Sequence, residues 1–121
     1  MMKVAVTAQG QDMEALVDPR FGRCQYFLFV DTETMQAEAV KNPAREAGGG
    51  AGIQAGQLVA DRGAEAVITG DVGPNASRVL IGAGMKVYTG AAGTVREAVQ
   101  NFQSGKLTQS TGSTVPGHSG M

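Results

Sequence analysis

The sequence predicts an α/β fold: one mixed sheet of five strands, with the order β-β-β-α-β-α-β-α along the chain. Three observations carry this. Short apolar runs bounded by turn residues recur through the chain, as buried strands do. Beyond residue 50, three stretches place apolar residues at helical spacing. In this second half helices alternate with short apolar runs, which calls for parallel strands joined by right-handed crossovers. The first half instead has two apolar runs across a short polar turn, the pattern of an antiparallel hairpin.

Each element can be justified in turn. Residues 2–8 alternate and are rich in valine, a buried strand. "CQYFLFVD" (24–31) is aromatic and β-branched, a second strand. Asp31, Thr32, Glu33 and Thr34 make a polar turn, and "MQAEAVKN" (35–42) alternates and pairs back. Ala51, Ala55, Leu58, Val59 and Arg62 then fall at helical spacing, with Gly63 as the stop. "AEAVITG" (64–70) is a short buried strand. Pro74 opens a helix whose Ala76, Val79, Leu80 and Ala83 repeat at i, i+3, i+4 and i+7. "MKVYTG" (85–90) is the last strand. Thr94 and Glu97 form a capping box for a third helix, with the stripe Val95, Ala98, Val99 and Phe102 and with Gly105 at its end. From Ser104 onward apolar periodicity is almost absent. Residues 1–107 are therefore expected to form a single domain and 108–121 a flexible tail.

Composition narrows the function. The chain has 121 residues, 42% hydrophobic and 17% charged, which suits one globular domain. A net charge of -1 gives no general attraction to nucleic acid or to anionic membranes, so charge-based recognition must be local. No apolar stretch approaches a membrane span, and the N-terminus lacks the features of a secretory signal. The single cysteine, Cys24, excludes an internal disulfide framework and suits a reducing cytoplasm. Cys24 and the lone His118 cannot supply a Cys-rich metal site.

The strand ends expected to face a ligand read "TAQG", "TGDVGPN" and "YTGAAGT", and two of these open directly into helices. A fourth segment places Gly48, Gly49, Gly50 and Gly52 just before a helix. Helix N-termini carry unpaired N–H groups and partial positive charge, so together these loops would form a concavity for an anion. Plain turn chemistry explains the glycines equally well. The run is not a phosphate-binding Walker loop, because no Gly-Lys-Ser/Thr follows it, and a dinucleotide fingerprint is weak. In "DPRFGRC", Arg20 and Arg23 flank Phe21 and Gly22 just before a strand. Two guanidiniums suit an anion, although Asp18 could simply pair with one of them. Two neighbouring arginines would favour a Cys24 thiolate; a small buried hydrophobe is the other reading. His118 reads better as solvated than as a ligand. Asp12, Asp18, Asp31, Asp61 and Asp71 are scattered, with no strand carrying a pair of carboxylates for two-metal catalysis, and no catalytic triad can be assembled because the only histidine sits among the tail residues.

The blocks "VDPRFGRCQYFLFVD", "NPA…GGGAGIQAGQLVADRGAEAVITGDVGPNASRVLIGAGMKVYTG" and "GTVREAVQNF" together resemble the dinitrogenase iron-molybdenum cofactor biosynthesis family, and "TVPGH" resembles the end of many members. The likeness runs from residue 2 to about residue 107. It implies a ribonuclease H-like fold and a non-catalytic carrier of an anionic metal-sulfur cluster or its precursor. The cluster would be of the iron-molybdenum cofactor type or, as in the short standalone form, a molybdenum-copper sulfide. It does not imply nuclease activity, since "KVAVTA" has no carboxylate where such nucleases place one. A lone Cys24 cannot hold an iron-sulfur cluster by four thiolates, so holding is expected to be non-covalent, and the cluster is not expected to stay with purified protein.

The candidate cradle comprises Arg20, Phe21, Gly22, Arg23, Asn42, Gly49, Gly50, Gly52, Ile53, Gly70, Gly73, Asn75, Thr89 and Gly90, with Cys24 and His118 as accessory metal ligands. The expected partners are cofactor-assembly or cluster-receiving proteins in the cytoplasm, met by a monomer or weak homodimer. A metal-free regulatory or partner-binding module is the alternative. An enzyme for small anionic substrates is disfavoured, because no general base is well placed.

Overall fold

Valine and aromatic residues that bury both faces of a strand force the sheet to the middle of the molecule. In the computed structural model, which describes residues 2–46 and 50–110, this happens first at β1 (Lys3–Ala8) and β2 (Tyr26–Asp31). Alternate side chains go to opposite sides. Ala5, Phe27 and Phe29 enter one apolar cluster, while Val4, Val6, Leu28 and Val30 enter the other. Around them lie β3 (Ala37–Lys41), a 3-10 turn (Pro43–Glu46), α1 (Ala51–Asp61), β4 (Ala66–Ile68), α2 (Pro74–Gly82), β5 (Lys86–Thr89), α3 (Val95–Gln103) and β6 (Thr108–Ser110).

The sheet runs β3-β2-β1-β4-β5-β6. The hairpin β2–β3 is antiparallel and sits at one edge, and β1 pairs antiparallel with β2. β1–β4 and β4–β5 are parallel, as the alternation of helices and strands requires. Two expectations need correction. The sheet has six strands, not five, and the part beyond the hairpin is not all parallel, because β1 pairs antiparallel with β2 and β6 antiparallel with β5. β6 is "TQS", with no apolar side chain to betray it, and it falls where a tail was expected. Leu107 just before it packs on the second cluster with Tyr88 and Phe102, which brings the polar segment alongside β5. Residues 111–121, including the rest of that expected tail, lie outside the described residues.

The helices divide by face. Ala55 and Val59 of α1 and Ala76 and Leu80 of α2 pack on one side of the sheet; Val95, Ala98 and Val99 of α3 pack on the other. The α1–α2 contact is unusually close. A Cβ on Gly56 would stand 2.9 Å from Val79 Cγ1, and one on Gly52 would stand 3.2 Å from Ala76 Cβ. The two glycines therefore let the helices lie against each other with their N-termini side by side. Among the described residues no helix is long and apolar enough to cross a membrane.

Candidate functional site

The segment between β1 and β2 carries "DPRFGRC", and its path is set by backbone pairing. Asp18 N–H donates to the Thr7 carbonyl at 2.9 Å, and Asp71 N–H donates to the Pro19 carbonyl at 2.7 Å. Phe21 N–H donates in turn to the Asp71 carbonyl at 3.3 Å. Pro19 thereby docks onto the extension of β4. A Cβ on Gly70 would come within 2.7 Å of Pro19 Cα, so only glycine fits there without displacing backbone. Phe21 is buried, its ring centroid 5.4 Å from that of Phe27. This anchor leaves Gly22 and Arg23 at the surface. Gly22 lies against the start of α1, where an added Cβ would be 3.1 Å from Gly52 N.

Three segments thus meet at one end of the α1/α2 layer. They enclose a cavity of about 280 Å³ lined by Gly22 and Arg23, by Gly50, Ala51 and Gly52, and by Gly73, Pro74, Asn75 and Ala76. The N-caps of α1 and α2 are Gly50 and Gly73; neither helix has a side-chain cap or an acidic residue in its first turn. Gly50 holds a left-handed φ of 74°, which explains glycine at that position. Among the described residues no carboxylate lines the cavity. First-turn N–H groups, two helix dipoles and the exposed Arg23 guanidinium all contribute positive potential to it.

The arrangement brings together Gly22, Arg23, Gly50, Gly52, Gly73 and Asn75 of the expected cradle. Other members lie elsewhere. Phe21, Asn42 and Cys24 are buried beneath the loop. Ile53 is 38% exposed on the first turn of α1 but does not line the cavity. Arg20 points outward, its side chain 63% exposed and its Nε 3.6 Å from Asp18 Oδ1, so the simple pairing with Asp18 describes it. Gly70 makes room for Pro19. Gly49 and His118 lie outside the described residues.

The third glycine loop, with Thr89 and Gly90, does not join the cavity. Gly90 N–H donates to the Gly70 carbonyl at 2.9 Å and Ala91 N–H to the Thr69 carbonyl at 3.1 Å, so the crevice between the ends of β4 and β5 is zipped shut. The N-terminus of α3 is also closed. Thr94 and Glu97 form the full capping box, and Val95 and Arg96 N–H donate to the carbonyls of Ala15 and Met13, each at 2.9 Å. A helix start with its donors already spent offers little to an anion.

Cys24 also departs from one of its two readings. Burial, and secondarily the charge of Asp18, push its thiol pKa far above the ordinary value. Its burial favours the protonated core thiol over a thiolate activated by arginines. Among the described residues no group of three His, Cys, Asp or Glu side chains is placed to hold a metal ion. Sequence reasoning missed Ala51, Pro74 and Ala76, which line the cavity within the first three positions of α1 and α2. Their signal was position after the cap rather than residue type.

Residues 2–105 match the family described as dinitrogenase iron-molybdenum cofactor. Among solved structures, the chain is similar to the apo form of the orange protein from Desulfovibrio gigas. The identity is 45% and the TM-score 0.91, over 94% of this chain and 97% of that one. It is also similar to a NifB-like protein from Thermotoga, with 38% identity and a TM-score of 0.81 over 94% and 97% of the two chains. An uncharacterised protein of Methanocaldococcus jannaschii is 31% identical over 110 residues, 88% of this chain and 90% of its own.

Proposed function

Since the chain belongs to the dinitrogenase iron-molybdenum cofactor family, we propose that it carries an anionic metal-sulfur cluster, or a thiometallate precursor, in the cavity between α1, α2 and the Arg23 loop. Family membership and the orange-protein likeness support a cofactor-binding or carrier role. The observation that carries the finer reading is the convergence of two helix N-termini without side-chain caps and one exposed arginine on a cavity with no carboxylate among its described lining residues. A bulky, soft anion suits such a site. Peptide N–H groups and a guanidinium can grip its sulfides while leaving the metals' own ligands in place.

The same lining argues for carriage rather than catalysis. Among the described residues it consists of glycine, alanine, proline, asparagine and one arginine, and these offer neither a nucleophile nor a general base. Holding without thiolates makes release easy, as delivery to an assembly or receiving protein requires. The proposal includes a cytoplasmic location, a monomer or weak homodimer, and a cluster of either the iron-molybdenum or the molybdenum-copper sulfide type.

The test is an anaerobic titration of purified protein with tetrathiomolybdate, with and without copper(I). Binding is expected to give a saturable change in the sulfur-to-metal charge-transfer bands. Spectra that remain the sum of protein and free anion, with either guest, would overturn the reading.

A further inference from the structure

Asn42 belongs to the cradle expected from the sequence, yet it is buried and lies outside the cavity lining. Its side chain is fully engaged. Nδ2 donates to the carbonyl of Gly22 at 3.1 Å and to that of Cys24 at 3.0 Å, and lies 3.7 Å from Cys24 Sγ. Oδ1 accepts the Ala44 N–H at 3.0 Å, and the Asn42 backbone N–H donates to the Gln25 carbonyl at 3.0 Å. The two carbonyls held by Nδ2 bracket Arg23 in sequence. One buried amide at the end of β3 therefore pins the chain on both sides of Arg23, the one charged residue among the described residues that line the cavity.

We infer that Asn42 is a positioning residue: it acts on the guest only through Arg23, by fixing the backbone from which that guanidinium is presented. This rests on the proposed cavity as the binding site, and assigns Asn42 a different task within it. The physical reason is pre-organisation. A surface loop bearing an exposed arginine would otherwise have to be ordered when the anion binds, at a cost in affinity. Here folding of the core has already ordered it. No other residue type matches the pattern, because two N–H donors and one carbonyl acceptor are needed on a short side chain, and a buried carbonyl left without a donor is costly.

The experiment compares Asn42→Ala, Asn42→Ser, Arg23→Ala and the double variants by tetrathiomolybdate titration, with amide hydrogen exchange measured without ligand. Thr94→Ala serves as a control that lowers stability without touching the loop. Asn42→Ala is expected to lose about as much affinity as Arg23→Ala, about tenfold. The double variant should be no weaker than Arg23→Ala alone, and Thr94→Ala should bind normally. In the ligand-free protein, Asn42→Ala should speed exchange in the 22–24 segment while the central strands stay protected. Asn42→Ser, which keeps one donor, should fall between; it also provides the same readouts if the alanine variant does not fold.

Unchanged affinity, or a loss that adds to that of Arg23→Ala, would overturn the inference. So would unchanged exchange in the 22–24 segment. Because exchange is read without ligand, a wild type that binds no thiometallate defeats the carrier reading, while unaltered exchange defeats the role of Asn42.

Discussion

Arg23 and Arg20 are three positions apart, yet the structure gives them different environments. Arg23 lines the cavity, whereas Arg20 lies outside it with Asp18 at 3.6 Å. Arg23→Ala is therefore expected to weaken thiometallate binding about tenfold, and Arg20→Ala by less than about twofold, as read from anaerobic titration at low salt. The sequence shows two arginines around an aromatic residue and a glycine, but not which one lines the cavity. That depended on Pro19 docking against Gly70, a contact between residues 51 positions apart.

Cys24 was equally ambiguous, since its charge state depends on burial rather than on its sequence neighbours. The fold holds its proton more tightly than the unfolded chain does, so its contribution to stability is present below the unfolded pKa of 9.0 and is lost as pH rises beyond it. The stability of the wild type should thus fall relative to Cys24→Ala above about pH 9, by up to about 1.4 kcal/mol per pH unit, in denaturant melts across that range.

At the scale of elements, helix starts that look alike in sequence differ in what they leave open. All three helices were legible, including the Thr94–Glu97 capping box. What the local pattern could not reveal was that Ala15 and Met13, from a distant loop, would take up the remaining donors of α3. Thr94→Ala should cost about 1 kcal/mol in thermal or chemical unfolding and leave thiometallate affinity unchanged.

The glycines tell a related story. Gly50 answers a backbone requirement, but Gly52 and Gly56 serve helix–helix contact, and Gly70 serves the Pro19 loop. Glycine in sequence signals a close approach without naming the partner. Gly70→Ala should be the most damaging of the alanine substitutions at these four positions, since its Cβ would meet backbone. A loss of about 1–3 kcal/mol is expected in denaturant unfolding.

At the scale of the molecule, the parallel strands, the edge hairpin and the partition of apolar side chains between two faces all follow from periodicities of two and of about four, and these were readable. The sixth strand was not, because an exposed edge strand is held by backbone bonds that leave no hydrophobic signature. The consequence for function is asymmetry. α1 and α2 share one face and open a cavity there, while α3 on the other face is sealed. The proposed binding cavity thus lies on one side of the sheet, displaced from the closed crevice between β4 and β5.

That displacement can be read residue by residue from the amide spectrum of nitrogen-15-labelled protein titrated anaerobically with tetrathiomolybdate. Saturable shifts should concentrate at Gly22, Arg23, Gly50, Ala51, Gly52, Asn75 and Ala76, with Gly90, Gly93 and the first turn of α3 unmoved. Shifts centred instead on Gly90 to Gly93 and the start of α3, or no shift at all, would contradict the account.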